Sequence, residues 1–155
     1  MAERYGIVRI SVVLCTHTPE RFEHLVDAAR SVQAGTYEDV ELVLVSDGSP
    51  AVSELMRDEF GAAIASGACL VEELEENSGL LAARNRGAAA ASGDIVAFLD
   101  DDALADERWL ERLIEPYESG DRLAVGGRVT PAWVAPDGAP AFLPEEFYWL
   151  VGVTH

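Results

Sequence analysis

The sequence predicts an α/β fold, in which a mainly parallel sheet is flanked by helices on both faces. Over residues 7–115, short apolar segments rich in β-branched residues alternate with longer segments whose apolar residues recur at helical spacing. Polar residues follow directly at the end of each apolar segment. Strands that alternate with helices in this way are joined by right-handed crossovers and therefore run parallel.

The expected strands contain few polar residues, which is typical of parallel strands buried on both faces. They span residues 7–15, 40–46, 69–74 and 95–99, and a further strand is expected over residues 123–129.

The first two helices are expected where a capping residue or a turn precedes an apolar stripe. Thr18 is expected to cap a helix that begins at Pro19 and ends at Gly35. A second helix follows the turn at residues 47–50 and runs to about residue 65.

The later helices have their own start and stop signals. Asn77 and Ser78 are expected to cap the third, whose small residues, such as Ala83 and Gly87, allow a close approach to the sheet. The fourth spans about residues 106–115 and is expected to stop at Pro116. After residue 121 prolines and aromatic residues become frequent, so we expect an α/β region over residues 1–128 and the incomplete start of a second region over residues 129–155.

The charge of the chain excludes several classes of partner. Its 155 residues include 28 acidic and 11 basic side chains, all 11 of them arginine, and the net charge is −17. So acidic a surface repels polyanions, which excludes nucleic acid and disfavours an anionic membrane surface. Because no apolar stretch is long enough to span a bilayer and no signal-peptide pattern is present, we expect no transmembrane segment and a cytoplasmic protein. Cys15 and Cys69 are expected to be free thiols.

Polar residues follow the expected strands at the edge where open parallel sheets bind ligands. Asp100, Asp101 and Asp102 come directly after the fourth strand, and three adjacent carboxylates repel one another unless a cation lies near them. Their oxygen atoms suit Mg²⁺ or Mn²⁺. The alternative is an exposed turn in a protein that is acidic throughout.

A nucleoside diphosphate would need such a metal here, because the chain has no lysine and no phosphate-binding P-loop. Arg84 is the expected cationic contact, whereas Arg86 is expected to form a surface ion pair with a glutamate. Asp47 can either accept a hydrogen bond from N3–H of a uracil ring or cap the helix that follows it. His17 is assigned no chemistry.

Four segments of the chain resemble family 2 glycosyltransferases of the GT-A type, in the order and spacing of that family. They are residues 11–16 (SVVLCT), 44–49 (LVSDGS), 77–87 (NSGLLAARNRG) and 93–102 (GDIVAFLDDD), the last of which contains a D-x-D motif. The resemblance extends over about residues 7–128 and makes this the donor-binding region, with the acceptor side beginning after it. It implies a GT-A fold and an inverting enzyme that uses Mg²⁺ or Mn²⁺ to transfer a sugar from a nucleotide-diphosphate sugar, most often a UDP-sugar, to an acceptor hydroxyl.

The resemblance also implies a role for each matching residue. It places Thr16 and Asp47 at the base and ribose, Arg84 near the base or diphosphate, Asp100 and Asp101 at the ribose and donor sugar, and Asp102 on the metal. It also implies an acceptor that is either a glycan or linked to a lipid. A lipid-linked acceptor would lie at the cytoplasmic face of the membrane.

Three features depart from the family pattern. His17-Thr18 stand where many members have Tyr-Asn, and Ser46 stands where an aspartate is frequent. The family's general base, a later carboxylate, has no counterpart in this chain, since Glu145-Glu146 fit the start of a helix better, and we expect it beyond residue 155. Two alternatives therefore stay open: a non-catalytic nucleotide- or metal-binding fragment, and a nucleotidyltransferase on a related fold.

The acidic, lysine-free composition predicts adaptation to high salt, as in a protein from a halophile. At molar ionic strength the Debye length is about 3 Å, so the repulsion among surface carboxylates is screened. We expect the midpoint of thermal unfolding, followed by circular dichroism, to rise between dilute buffer and molar KCl. Equal stability in the two solutions would contradict this interpretation.

Overall fold

The computed structural model describes residues 8–118, 122–133 and 138–154. Ile7, the first residue of the predicted first strand, lies outside them. The chain divides into two compact units between residues 111 and 112, within its last α-helix. The elements are, in chain order, β1 (Ile10–Thr16), a 3-10 turn (Pro19–Arg21), α1 (Phe22–Gln33), β2 (Val40–Asp47), α2 (Pro50–Glu59), α3 (Gly61–Ala65), β3 (Cys69–Leu74), α4 (Leu80–Ala90), β4 (Ile95–Phe98), α5 (Trp109–Glu118) and a 3-10 helix (Glu145–Val151).

The four strands form one parallel sheet in the order β3-β2-β1-β4. Thr16 of β1 is paired with Ser46 of β2, and Asp47 of β2 with Leu74 of β3, so the carboxyl ends of these strands lie at one edge. The predicted fold class, a mainly parallel sheet flanked by helices, is confirmed.

The direction in which strands are added to the sheet reverses after β3. β2 and β3 extend the sheet on one side of β1, whereas β4 pairs with the other side. Because crossovers are right-handed, α1 to α3 lie on one face of the sheet and α4 on the opposite face. The reversal makes the gap between the ends of β1 and β4 the switch point at which ligands bind in such folds.

Small residues bring α4 close to the sheet, as the sequence predicts. Ala83 is fully buried against a cluster formed by Val13, Val43 and Val45. At Gly87 a Cβ atom would lie 2.4 Å from Cγ1 of Val13 and 3.0 Å from Cγ2 of Val45, so the helix backbone rests on these side chains.

A buried carboxylate ties the strands together at the opposite, amino-terminal edge. Glu41 of β2 accepts hydrogen bonds from the Ser11 hydroxyl of β1 at 2.5 Å, and from the backbone N–H and hydroxyl of Ser92 at 2.9 and 2.8 Å. Burial by itself raises the pKa of Glu41, but the hydrogen bonds from Ser11 and Ser92 outweigh it, and the net shift is downward. The ionised carboxylate of Glu41 therefore holds the amino-terminal edge of the sheet together.

The first two predicted helices differ from the structure in their boundaries. Pro19–Arg21 form a 3-10 turn, α1 begins only at Phe22, and the Thr18 hydroxyl bonds to the Glu20 carboxylate instead of capping the turn. The second predicted helix is broken at Phe60, whose φ of −102° and ψ of 14° lie outside the α region.

Two predictions in the later part of the chain are wrong. α5 continues through Pro116 to Glu118; the proline lies in the last turn, so its missing N–H and its clash with the preceding turn affect only the end of the helix. Residues 123–129 form no strand, and no described strand pairs with them. An apolar segment becomes a strand only when a neighbour satisfies its backbone, and here Leu123 is fully exposed. Glu145 and Glu146 do begin a helix, of the 3-10 type.

The close packing of α4 predicts opposite effects of two glycine-to-alanine substitutions. Gly87→Ala forces a methyl group into Val13 and is expected to lower the free energy of unfolding by about 1–3 kcal/mol. Gly61→Ala, in α3, places its methyl group in open space and is expected to be neutral or to stabilise by up to about 1 kcal/mol. Urea denaturation in high salt measures both, and equal values for the two variants would contradict the packing described for α4.

Candidate functional site

Charged side chains from β2, α4 and the loop after β4 surround the carboxyl end of β1. The Cys15 thiol in β1 has its pKa raised to about 12, chiefly by burial, and it also experiences the charges of Arg84, Asp47, Asp101 and Asp100. The structure therefore brings together most of the residues that the sequence predicts for the site. With so high a pKa the thiol stays protonated at neutral pH and is not a nucleophile. Cys15 and Cys69 are both free, as predicted.

Thr16 ends β1 at the switch point. It is only 3% exposed, and its Oγ1 atom makes no hydrogen bond with any described residue. A buried hydroxyl left without a partner costs about 1–3 kcal/mol, so a polar atom of a ligand at this position would recover that free energy.

Asp47 holds the loop between β3 and α4. Its Oδ1 accepts the backbone N–H of Ser78 at 2.7 Å, and its Oδ2 accepts that of Gly79 at 2.9 Å. Gly79, with φ of +87°, is the N-cap residue of α4, so the prediction that Asn77 and Ser78 cap this helix is wrong. Asp47 does not cap the helix that follows it either, because Ser49 occupies that position. A carboxylate at the start of α4 also interacts favourably with the helix dipole.

The same loop is packed onto the backbone of the turn after β2. Gly48 has φ of +73°, and a Cβ there would lie 2.1 Å from the backbone N of Asn77. Any other residue would displace the loop, so Asp47 and Gly48 fix it together. Ser46 closes the same turn by donating its hydroxyl hydrogen to the Ser49 carbonyl at 2.7 Å.

Arg84 projects from α4 to the end of β4. Its Nη2 lies 2.5 Å from Oδ1 of Asp100, and its Cζ lies 5.8 Å from the centre of the half-exposed Phe98 ring. The guanidinium thus balances the first of the three aspartates and stacks on an aromatic ring. Arg86 instead forms the predicted surface ion pair, with Glu72 at 2.6 Å.

Arg21 balances the other two aspartates, and sequence reasoning missed it. Its Nε and Nη2 lie 2.9 and 2.5 Å from the two carboxylate oxygens of Asp101, and Nη2 also lies 2.8 Å from Oδ2 of Asp102. The hydrogen bonds that Arg21 donates, first to Asp101 and then to Asp102, raise the pKa of Arg21 above its ordinary value. Eighty positions separate the partners along the chain, and Arg21 belongs to none of the motifs. One signal was available: three adjacent carboxylates need more than one cation, and the loop after β1 borders the end of β4.

The three aspartates differ in exposure. The side chain of Asp101 is 10% exposed, whereas those of Asp100 and Asp102 are 56% and 61% exposed. Among the described residues no three His, Cys, Asp or Glu side chains form a group that could hold a metal ion by themselves. His17 is exposed.

Curated relatives of the chain are glycosyltransferases. It is 44% identical over 151 residues to a glucosyl-dolichyl phosphate glucuronosyltransferase of Haloferax volcanii, covering 94% of this chain and 45% of that protein. It is 33% identical over 119 residues to an uncharacterized glycosyltransferase of Nostoc, covering 76% of this chain and 35% of that protein. The chain thus spans less than half the length of either relative. No helix in the described part is long and apolar enough to cross a membrane.

Solved structures share the fold. A mannosyltransferase from Pyrobaculum calidifontis, in complex with GDP-Man and Mn²⁺, superposes with a TM-score of 0.61 at 20% identity, over 70% of this chain and 32% of that one. TarS from S. aureus, in complex with UDP-GlcNAc, superposes with a TM-score of 0.59 at 22% identity, over 71% of this chain and 32% of that one. These similarities identify the GT-A fold.

The family model described as glycosyl transferase family 2 matches residues 11–143, which is most of the chain and includes every residue discussed at the switch point. The chain therefore belongs to glycosyltransferase family 2.

Proposed function

We propose that this chain binds the nucleotide-diphosphate part of a sugar donor, in an inverting enzyme that transfers the sugar to an acceptor hydroxyl. The observation that carries the proposal is the convergence, at one switch point, of the unsatisfied Thr16 hydroxyl with the Arg84–Asp100 and Arg21–Asp101–Asp102 ion pairs. Such a site offers a hydrogen-bond donor and acceptor for a nucleoside and a charged edge for its phosphates.

A divalent metal, Mg²⁺ or Mn²⁺, fits the charges at this edge. The carboxylates of Asp100, Asp101 and Asp102 outnumber the guanidinium groups of Arg21 and Arg84 by one, so the edge by itself repels a diphosphate. Asp102, whose carboxylate is exposed like that of Asp100, is the proposed metal ligand, because the family resemblance gives it that role. When bound, the metal would supply charge stabilisation to the departing diphosphate. The mannosyltransferase with the same fold was solved with GDP-Man and Mn²⁺, which supports this choice.

The other residues of the site receive the following proposed roles. Thr16 donates a hydrogen bond to the base or ribose, and Arg84 contacts the base or the diphosphate. Asp100 and Asp101 lie toward the ribose and the donor sugar. Asp47 positions the loop before α4, and because each carboxylate oxygen accepts more than one hydrogen bond, it also remains the proposed acceptor for N3–H of a uracil ring.

The donor nucleotide and the acceptor are proposed on more general grounds. UDP is proposed because Asp47 is an acceptor suited to uracil, and TarS, with the same fold, was solved with UDP-GlcNAc. A lipid-linked acceptor is proposed because the name of the Haloferax volcanii relative specifies a dolichyl phosphate. The cytoplasmic face of a membrane is proposed as its location because the sequence predicts a cytoplasmic protein. We assign no general base. Adaptation to high salt remains part of the proposal, supported by the net charge of −17.

Binding of the nucleotide is expected to require the metal. A ligand at about one hundred times its dissociation constant stabilises a fold by roughly 2.7 kcal/mol. We therefore expect the melting temperature of the chain in high salt to rise with UDP and Mn²⁺ together, and to change little with UDP or Mn²⁺ alone. GDP and ADP, each with and without Mn²⁺, test the choice of base.

Asp102→Asn is expected to abolish this shift, because it removes the carboxylate proposed to meet the metal. Asp58→Asn, on the exposed face of α2, is the matched control and should leave the shift unchanged. A folded wild-type chain that responds to no nucleotide with Mn²⁺ would contradict the proposed donor site. A full shift in Asp102→Asn would contradict the metal assignment.

Asp47→Asn separates the two roles proposed for Asp47. Asparagine keeps one acceptor oxygen, so one of the N–H groups of Ser78 and Gly79 loses its partner. We expect the free energy of unfolding to fall by about 1–3 kcal/mol, measured by urea denaturation against Asp58→Asn. If the base contact also exists, UDP affinity measured calorimetrically with saturating Mn²⁺ should fall more than GDP affinity. Unchanged stability would contradict the loop contact seen in the structure.

A further inference from the structure

We propose that Arg21 is a positioning residue of the donor site. Its guanidinium binds the buried carboxylate of Asp101 and thereby holds the exposed carboxylate of Asp102 in the orientation that the metal needs. This inference rests on the proposed function and adds to it a residue that lies outside the motifs of the sequence.

Arg21 contacts one buried carboxylate, that of Asp101, and one exposed carboxylate, that of Asp102. Asp101 is nearly buried and is held by two parallel hydrogen bonds, the arrangement that gives an arginine–carboxylate pair its fixed geometry. Asp102 is mostly exposed, and an exposed carboxylate samples several rotamers unless something holds it. Nη2 of Arg21 contacts both, so the rigid pair restrains the exposed side chain.

The backbone of Arg21 is held close to the carboxyl end of β1, so the restraint on Asp102 is fixed relative to that strand. Arg21 is the last residue of the 3-10 turn, which follows β1 after two residues, and its backbone N–H bonds to the Thr18 carbonyl at 3.2 Å. Its side chain crosses the switch point from the end of β1 to the end of β4. The location of Asp102 relative to Thr16 therefore depends on Arg21.

Positioning and simple charge competition predict opposite effects on the metal. If Arg21 only neutralises Asp102, its cation competes with a metal, and weakening the contact should leave metal affinity unchanged or increase it. If Arg21 positions Asp102, weakening the contact should decrease affinity, as loss of the groups that orient metal ligands usually does. Lysine keeps the positive charge but lacks the planar fork, so Arg21→Lys separates geometry from charge.

The test is Mn²⁺ binding by the whole 155-residue chain in the presence of UDP, and separately of GDP, in high salt. Electron paramagnetic resonance measures free Mn²⁺, and circular dichroism confirms that each variant is folded at the temperature used. We expect Arg21→Lys to weaken Mn²⁺ binding roughly 10- to 100-fold. Arg30→Lys is the matched control, because Arg30 of α1 forms an exposed ion pair with Glu59 of α2 at 2.6 Å. The Arg30→Lys variant should bind Mn²⁺ as the wild type does.

Asp101→Asn tests the same contact from the other side and keeps the shape of the side chain, so the proposal can be tested even if Arg21→Lys does not fold. It should also weaken Mn²⁺ binding. The double variant should bind about as weakly as the weaker single variant, because both changes break one contact.

The outcomes separate this inference from the proposed function. If the wild type binds Mn²⁺ and Arg21→Lys or Asp101→Asn binds it equally or more tightly, the positioning role is overturned. The proposed donor site is unaffected by this result. A merely structural role for Arg21 lowers the melting temperature without changing Mn²⁺ affinity in the folded variants, and this result also overturns the inference. Absence of Mn²⁺ binding by the wild type, with both nucleotides, overturns the proposed metal site and the inference with it.

Discussion

Compensation of three adjacent carboxylates is the constraint on which the candidate site depends. Asp100, Asp101 and Asp102 are adjacent in the chain, so their charges cannot be separated by folding and must be balanced by cations from elsewhere. Two segments next to the sheet supply these cations. Arg84 reaches Asp100 from α4, and Arg21 reaches Asp101 and Asp102 from the turn after β1. The ion pairs therefore also tie together the segments that surround the switch point.

Carboxylates serve as structural anchors at both edges of the sheet. At the amino-terminal edge Glu41 joins β2 to Ser11 of β1 and to Ser92, just before β4. At the carboxyl edge Asp47 joins the end of β2 to the loop before α4. In each case the carboxylate accepts backbone N–H groups that would otherwise be unsatisfied. Acidic residues thus fix both ends of β2, and the loops at the carboxyl edge of the sheet are positioned on a rigid support.

The sequence predicted the parts of the fold that depend on local pattern. Buried parallel strands have a continuous apolar signal, and the four strands of the sheet lie close to their predicted positions. The strand expected over residues 123–129 is absent because its formation depends on a partner strand, and the apolar pattern carries no information about a partner.

The same distinction applies to the candidate site. The motifs identified Thr16, Asp47, Arg84 and the three aspartates, because each stands at a strand end or in a recognisable segment. Arg21 was missed because its contact with Asp101 joins residues 80 positions apart in the chain. The loop contact of Asp47 was missed for the same reason, since Ser78 and Gly79 become its neighbours only when β2 and β3 pair.

The exclusive use of arginine suits a site of this kind in so acidic a protein. A lysine ammonium is a compact, strongly hydrated charge that cannot hold two carboxylates in a fixed relation, whereas a guanidinium presents several donors in one plane. Arg21 uses this property when it bonds to both oxygens of Asp101 and contacts Asp102 with one of the same nitrogens. Salt screens separated surface charges far more than it screens a partly buried pair in direct contact. In concentrated salt the repulsion among the surface carboxylates would therefore fade, while the contact between Arg21 and the buried Asp101 would be retained.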